Sequence, residues 1–164
     1  MNRRKLLAVG AVAALVVTQP VLVGAQTGVD EAGVRKAIAE YESVRNRHDV
    51  QAWAERLTSD IEFIWPGGRD RGREAVSASQ EQYINGWDQK IELRRLRMEP
   101  NGTATAVTRV LTLKLPLRDG QYQATMTRDV VVTRWRLEGG EWRLFYFNNV
   151  AHEAQAIVKA EGLE

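Results

Sequence analysis

A single change of hydrophobic periodicity divides the chain into a helical first half and a strand-like second half. Val34, Ile38, Tyr41 and Val44 recur every three or four positions, which is the stripe that a helix buries against a core. From Ile91 onward apolar and polar residues instead alternate, as they do in strands with one face on a core. Helices followed by a run of strands predict an α+β fold, and 164 residues suit one domain.

Capping and turn residues predict where the elements begin and end. Asp49 is positioned to cap a second, short helix, and the turn at 66–68 ends a short strand at 61–65. A third helix is predicted over 73–85, and a slip of the alternation at 94–95 indicates a bulge. We therefore expect three N-terminal helices packed on a strongly curved antiparallel four-strand meander, with one additional short strand.

Residues 1–25 have the features of a cleaved signal peptide. Three basic residues at 3–5 precede an apolar run at 6–17, and small residues at Val23 and Ala25 predict cleavage after Ala25. The alternative is an uncleaved membrane anchor. The arginine pair within 3–5 is also similar to a twin-arginine export signal. We expect a periplasmic or secreted protein that leaves the membrane after cleavage.

Charge and composition narrow the possible partners and cofactors. The net charge of +2 depends on the basic residues of 1–25, because the rest of the chain has 20 basic and 21 acidic residues. Such a body lacks the basic surface that nucleic acid binding requires, so we expect no nucleic acid partner. The chain has no cysteine and two histidines, so we expect no metal and no cofactor.

The order of several short motifs resembles the nuclear transport factor 2-like superfamily, most closely its SnoaL-like and ketosteroid-isomerase-like branch. These motifs are Asn46-x-x-Asp49, Pro66-Gly67-Gly68, Arg71-Gly-Arg-Glu74 and the Gly-Gly-x-Trp-Arg-Leu run at 139–144. The resemblance covers 34–150, leaving an N-terminal extension at 26–33 and a tail at 151–164 that is either a short closing helix or a frayed end. It implies a cone-shaped fold, a mostly apolar pocket at the open end of the cone, and a homodimer through the outer face of the sheet.

The resemblance assigns a catalytic role to Tyr41 but leaves two other roles unfilled. Tyr41 matches the tyrosine of ketosteroid isomerases that donates a hydrogen bond to a substrate oxygen, although it could equally be a core residue of the helical stripe. The family's catalytic base precedes the turn proline, where this chain has Trp65. Thr133 stands where the family has a second, protonated acid. Steroid isomerisation by the family mechanism is therefore not expected.

Asp129 is the best remaining candidate for a catalytic acid or base. By strand alternation it shares a face with Val131, Thr133 and Trp135, and the resemblance assigns that face to the pocket. A carboxyl group among apolar neighbours would have a raised pKa and could transfer protons. The alternatives are an ion pair with an arginine or a position at the edge of the sheet.

Aromatic and polar residues on the same predicted face are candidate ligand contacts. Trp65 and Trp135 could each hold an apolar ring against an indole. His48 is expected to be solvated in the turn between the first two helices, whereas His152 could pair with Asn149 near the pocket. The full set of predicted ligand-binding residues is Trp65, Tyr83, Thr133, Trp135, Phe145, Phe147 and Asn149.

Three functions remain open from the sequence. The first is an exported domain that binds a small hydrophobic molecule in an aromatic-lined pocket without catalysis. The second is a SnoaL-like acid–base enzyme of the cyclase, isomerase or dehydratase type, with Asp129 as base and Tyr41 as hydrogen-bond donor in one cavity. The third is a structural or dimeric interaction module with no room for a ligand.

Overall fold

A computed structural model describes residues 27–114 and 125–164. The predicted signal peptide at 1–25 lies outside these residues. The helices are α1 (Thr27–Arg45), α2 (Val50–Ala54), α3 (Arg73–Gly86) and α4 (Ala151–Ala160). The strands are β1 (Leu57–Trp65), β2 (Gly68–Arg71), β3 (Trp87–Met98), β4 (Thr103–Lys114), β5 (Thr125–Glu138) and β6 (Glu141–Asn148). None of these helices has both the length and the hydropathy to cross a lipid bilayer.

The strands form one curved sheet in the order β2-β1-β6-β5-β4-β3. The mixed α+β fold is confirmed, but its predicted element counts are wrong, since the described residues form four helices and six strands. β2 consists of one glycine and three charged residues, which carry no hydrophobic alternation, so the strand could not be distinguished from a turn. β1 and β6 are parallel, whereas every other neighbouring pair in the described sheet is antiparallel.

Helices α1, α2 and α3 pack on the inner face of this sheet. The predicted stripe of α1 is confirmed, because Val34, Ile38, Tyr41 and Val44 are all buried in the core. The predicted cap of α2 is also confirmed, since Asp49 Oδ1 accepts a hydrogen bond of 2.9 Å from the first turn of the helix. Together these helices close one side of a core centred on the inner face of the sheet.

Three bulges in the antiparallel pairs of the described sheet change which residues face the core. In β3 the extra residue is Arg94, at the predicted slip of alternation. In β5 the two residues Asp129 and Val130 stand opposite the single residue Arg109. In β6 the extra residue is Phe145. Because side chains alternate strictly along a strand, each extra residue reverses the inward and outward positions beyond it.

The tail at 151–164 contains the short helix α4, which covers part of the outer face of the sheet. Ala154 in α4 is fully buried. The Glu161 carboxylate after the helix accepts hydrogen bonds from Arg134 on β5 and from Arg97 on β3. Beneath the helix, the outer-face residue Val132 is also fully buried. A second, smaller layer therefore lies opposite the main core.

Candidate functional site

An open cavity of about 430 Å³ lies on the inner face of the sheet, beside α3. It is formed where α1 ends, where the turn after β1 begins, and where the ends of β3, β4, β5 and β6 meet. Its main apolar lining residues are Trp65, Tyr83, Trp87, Val110, Met126 and Phe147. Its polar lining residues are Arg45, Gln80, Gln89, Thr112, Arg128 and Asn149.

One wall of this cavity is the indole of Trp65, which several contacts hold in place. The Trp65 Nε1 donates a hydrogen bond of 3.0 Å to Asp70 Oδ2, which also accepts one from Ser79. The ring meets Tyr83 edge to face, with 5.7 Å between the ring centroids. A Cβ atom on Gly67 would lie 2.0 Å from the indole, so the absence of a side chain there lets Trp65 lie across the turn.

The deep end of the cavity is the ring of Phe147. This ring stacks on Phe63, with 4.1 Å between the centroids and an interplanar angle of 5°. Phe63 in turn packs edge to face against Trp53 in the core. Aromatic contacts of this kind add to the stability that burial alone supplies, so the end wall is part of the rigid interior.

Arg45 enters the cavity from the last turn of α1 and is held by backbone oxygens. Its Nη1 donates to the carbonyl of Trp87 at 2.6 Å and its Nη2 to the carbonyl of Tyr83 at 3.3 Å. Burial lowers the pKa of the Arg45 guanidinium, and the charge of Asp88 acts in the opposite direction. Arg45 thus joins α1 to the start of β3 and brings a positive charge to the cavity wall.

Arg128 lines the cavity because of the bulge in β5. It stands opposite Val110 of the inner face and directly precedes Asp129 and Val130, the two residues of the bulge. Its Nε is shielded from solvent and makes no hydrogen bond to the described part of the chain. The neighbouring Asp129 pairs with Arg109 on the other face of the sheet. Arg128 therefore supplies a second cationic group to the cavity.

Asn149 extends the polar lining at the end of β6. Its backbone nitrogen donates to the carbonyl of Ile64 at 3.1 Å, which fixes its position beside β1. Its Oδ1 is buried and has no hydrogen-bond partner within 27–114 or 125–164. A buried amide oxygen without a partner is costly, so this group is available to a bound molecule.

The structure divides seven of the nine predicted site residues between two cavities. Trp65, Tyr83, Phe147 and Asn149 line the open cavity. The other inward residues, Tyr41, Thr133 and Trp135, surround a separate void of about 10 Å³, with Phe147 and Val110 in the wall between the two.

Tyr41 is packed as a core residue beside this small void. Its ring contacts Trp53 and Trp135, with centroid separations of 5.9 and 6.1 Å. Burial raises the pKa of the Tyr41 phenol. Thr133 is also occupied, because its hydroxyl accepts a hydrogen bond of 3.0 Å from the Trp135 indole. These side chains fill space around the void and do not reach the lining of the open cavity.

The predicted inward placement of Asp129 is wrong. Its side chain is 80% exposed and lies 3.3 Å from Arg109 on the outer face. The alternation used for the prediction is interrupted at Val130, so the residues that precede the bulge have the opposite orientation to that expected. Asp129 and Tyr41 consequently lie on opposite faces of the sheet and share no cavity.

The predicted inward placement of Phe145 is wrong for the same kind of reason. Phe145 is the extra residue of the bulge in β6, so it does not follow the parity of Phe147. Its ring lies against the Arg136 guanidinium, 5.6 Å from the ring centroid. This contact belongs to the side of the sheet where Arg136 binds Asp60, away from the cavity.

Neither histidine belongs to the cavity lining in the described structure. The expected solvated position of His48 is wrong, because its side chain is only about one-third exposed, its Nδ1 contacts the carbonyl of Ile84 and its Nε2 lies 3.2 Å from Asp88. His152 is exposed on α4, while Asn149 faces the cavity. Within 27–114 and 125–164, no group of three or more His, Asp or Glu side chains could hold a metal ion.

Sequence reasoning missed the two arginines of the cavity and Met126. Arg45 had a signal, because it directly follows Val44 at the end of the predicted α1 stripe. The structure shows that it is buried. Arg128 and Met126 had none, because regular alternation from Trp135 places both on the outer face. Only the pairing of β5 with β4 reveals which residue is extra.

Comparison with known proteins identifies the family of the chain from its sequence. The family model of the SnoaL-like domain matches residues 37–145. No curated protein matches the chain in sequence.

Solved structures with the same fold have low sequence identity to the chain. A conserved protein from Planctomyces limnophilus is 21% identical, with a TM-score of 0.62 over 74% of this chain and 95% of that one. A candidate dehydratase of the NTF2-like family from Streptomyces avermitilis is 17% identical, with a TM-score of 0.60 over 74% and 95%. An NTF2-like superfamily protein from Salmonella enterica serovar Typhimurium is 16% identical, with a TM-score of 0.61 over 74% and 90%. These structures share the fold, and the sequence match over two thirds of the chain shows that the protein belongs to the SnoaL-like domain family.

Proposed function

We propose that the protein binds a small, largely apolar molecule in the open cavity and does not transform it. The observation that carries this proposal is a cavity of about 430 Å³ with fixed aromatic walls. Small-molecule sites in proteins commonly have volumes of about 300–1,000 Å³ and are mostly apolar, with a few polar groups that orient the ligand. Trp65 and Phe147 are each held by contacts behind them, so the cavity exists before a ligand arrives.

The lining residues support binding over acid–base chemistry. Among the described residues that line the cavity there is no aspartate, glutamate or histidine. Asp129, the base of the enzymatic alternative, is on the opposite face of the sheet. The hydroxyl of Tyr41 belongs to the small void. An enzyme that uses this pair would need both groups within reach of one substrate, and the geometry gives that mechanism no support.

Binding can be tested with a neutral fluorescent probe and two matched variants. N-phenyl-1-naphthylamine should bind the purified protein saturably, with increased probe emission. Met126→Trp adds bulk at the rim of the cavity and should weaken binding at least several-fold. Leu137→Trp is the control, since Leu137 is on the same strand, is 54% exposed and does not line the cavity.

Two results would contradict the proposal. One is a lack of saturable binding by the folded native protein. The other is equal binding by Met126→Trp and Leu137→Trp, which would place the probe elsewhere. Circular dichroism of both variants establishes that each retains the native fold.

Export and homodimerisation complete the proposal. The basic and apolar segments of 1–25 support export, and N-terminal sequencing of the mature protein should begin at Gln26. An intact N-terminus would support the anchor instead.

Dimerisation through the outer face would have to accommodate α4, which already covers part of that face. Sedimentation equilibrium should give twice the monomer mass, and the mass of a single chain would contradict the dimer.

A further inference from the structure

We infer that the ligand of the open cavity is an apolar molecule bearing one carboxylate, and that Arg128 recognises that carboxylate. The inference rests on the proposed function, since it specifies the chemistry of the molecule bound there. The apolar body would lie against Trp65, Tyr83 and Phe147. The carboxylate would supply the negative charge that the described lining lacks.

The first step of the argument is that Arg128 has no carboxylate paired with it within 27–114 and 125–164. Its Nε is shielded from solvent and has no hydrogen-bond partner in the described structure. The carboxylate next to it in sequence, that of Asp129, points to the other face and pairs with Arg109. A partly desolvated guanidinium without an acceptor is unfavourable, and an anionic ligand would relieve that cost.

The second step is that the surrounding wall is also positive. Arg45 lines the same cavity, and its guanidinium binds two carbonyl oxygens; the Asp88 carboxylate acts on it from outside the lining, which itself holds no carboxylate among the described residues. The other polar lining side chains of the described residues are amides and hydroxyls, which carry no charge. Low-dielectric walls with charge of one sign raise the local concentration of oppositely charged ligands.

The third step is that arginine suits a carboxylate in particular. The planar guanidinium presents a fork of N–H donors that matches the two oxygens of a carboxylate. Asn149, with its buried and unpartnered Oδ1, could accept a hydrogen bond from a hydroxyl or amide of the same ligand. The combination predicts a small aromatic or branched aliphatic acid in preference to a neutral hydrocarbon.

The experiment compares two probes of nearly equal shape by isothermal titration calorimetry at pH 7. The probes are 2-naphthoate, which is anionic, and 2-naphthamide, which is neutral. The native protein should bind naphthoate on the order of tenfold more tightly, as expected for a charge-assisted hydrogen bond. Arg128→Gln should remove this preference, so that it binds the two probes with nearly equal affinity.

Two further variants separate recognition from general charge effects. Arg109→Gln removes the same charge from the neighbouring strand on the opposite face, so it should retain the preference for naphthoate. Arg128→Lys keeps the charge but loses the fork, so its preference should lie between those of native protein and Arg128→Gln. Far-ultraviolet circular dichroism and thermal melts establish that each variant is folded.

The outcomes distinguish this inference from the proposed function. Equal affinity for the two probes, or a preference that survives in Arg128→Gln, overturns the carboxylate inference. If naphthamide binding is then still weakened by Met126→Trp, the proposed function stands without it. Failure of the folded native protein to bind either probe overturns both.

Discussion

The Nε of Arg109 lies 3.3 Å from the Oδ1 of Asp129, and the two side chains pair on the outer face of the sheet. We predict that Asp129→Asn leaves probe binding unchanged, because the residue does not face the cavity. The free energy of unfolding should change by about 0.5 kcal/mol or less, as is usual for exposed ion pairs. Probe titration and urea unfolding measure the two effects. A large loss of affinity would restore the role in the pocket that the structure denies to Asp129.

Gly67 should be required for the position of Trp65. In Gly67→Ala the new Cβ would lie 2.0 Å from the present indole, so the ring must move away from Asp70 and Tyr83. We expect a loss of about 1–3 kcal/mol in the free energy of unfolding and weaker probe binding. Near-ultraviolet circular dichroism should report the changed environment of the indole.

Gly86→Ala is the matched control for this substitution. A Cβ on Gly86 meets no atom within 4 Å, so the same chemical change should affect neither the aromatic signal nor probe binding. If Gly67→Ala behaved like Gly86→Ala, the close approach of the indole to the turn would not be a determinant of the cavity.

Asn46 should be a structural link between α1 and β3. Its Nδ2 donates to the carbonyl of Gln89 at 2.7 Å, and its Oδ1 accepts from the nitrogen of Gln89 at 2.8 Å. Asn46→Ala leaves both backbone groups without these partners and should cost about 1–3 kcal/mol in unfolding free energy. Because Gln89 lines the cavity, probe binding should weaken as well.

Two variants calibrate the effect of Asn46. Asn46→Asp keeps an acceptor for the Gln89 nitrogen but loses the donor, so its stability should be intermediate. Asn85→Ala changes an exposed asparagine at the end of α3 and should leave stability nearly unchanged. Urea unfolding ranks the variants, and equal stability of Asn46→Ala and Asn85→Ala would contradict the link.

The hydrogen-bonded cluster of Arg97, Glu99 and Thr105 on the outer face should weaken in acid. Burial alone would raise the pKa of Glu99, but hydrogen bonds from Arg97 and Thr105 outweigh it and lower that pKa. The folded state therefore binds the Glu99 proton less tightly than the unfolded state. Its stabilising contribution is complete above the ordinary value of 4.5 and is lost as the pH falls through the lowered value.

Glu99→Gln tests this origin of the pH dependence. The variant should lose about 1 kcal/mol of unfolding free energy at pH 7, because a charged acceptor becomes neutral. The difference from native protein should shrink below pH 4 in urea titrations at a series of pH values. A constant difference across the whole series would show that the charge of Glu99 is not responsible.

Local signals in the sequence predicted much of the fold and some of the cavity. The α1 stripe depends on helical spacing, and the Asp49 cap depends on residues three positions apart, so both could be read without knowledge of distant contacts. Trp65 and Phe147 were placed in the cavity by the turn and by the last strand.

Features that depend on pairing between strands could not be predicted in the same way. The run Val130-Val131-Val132 is apolar at consecutive positions, so alternation along the strand does not reveal which residue is extra. The pairing with β4 decides it, and it directs Asp129 outward and Arg128 inward. Phe145 was misplaced for the same reason by the bulge in β6.

The extra residue of β5 also affects how this strand should be aligned with those of other SnoaL-like chains. A chain lacking Val130 would have an uninterrupted ladder and would still direct the equivalent of Arg128 inward. An alignment without a gap at this point would pair that inward residue with an outward one. The residues before 129 and after 130 therefore have to be aligned separately, so that Arg128 is compared with the inward residues of those chains.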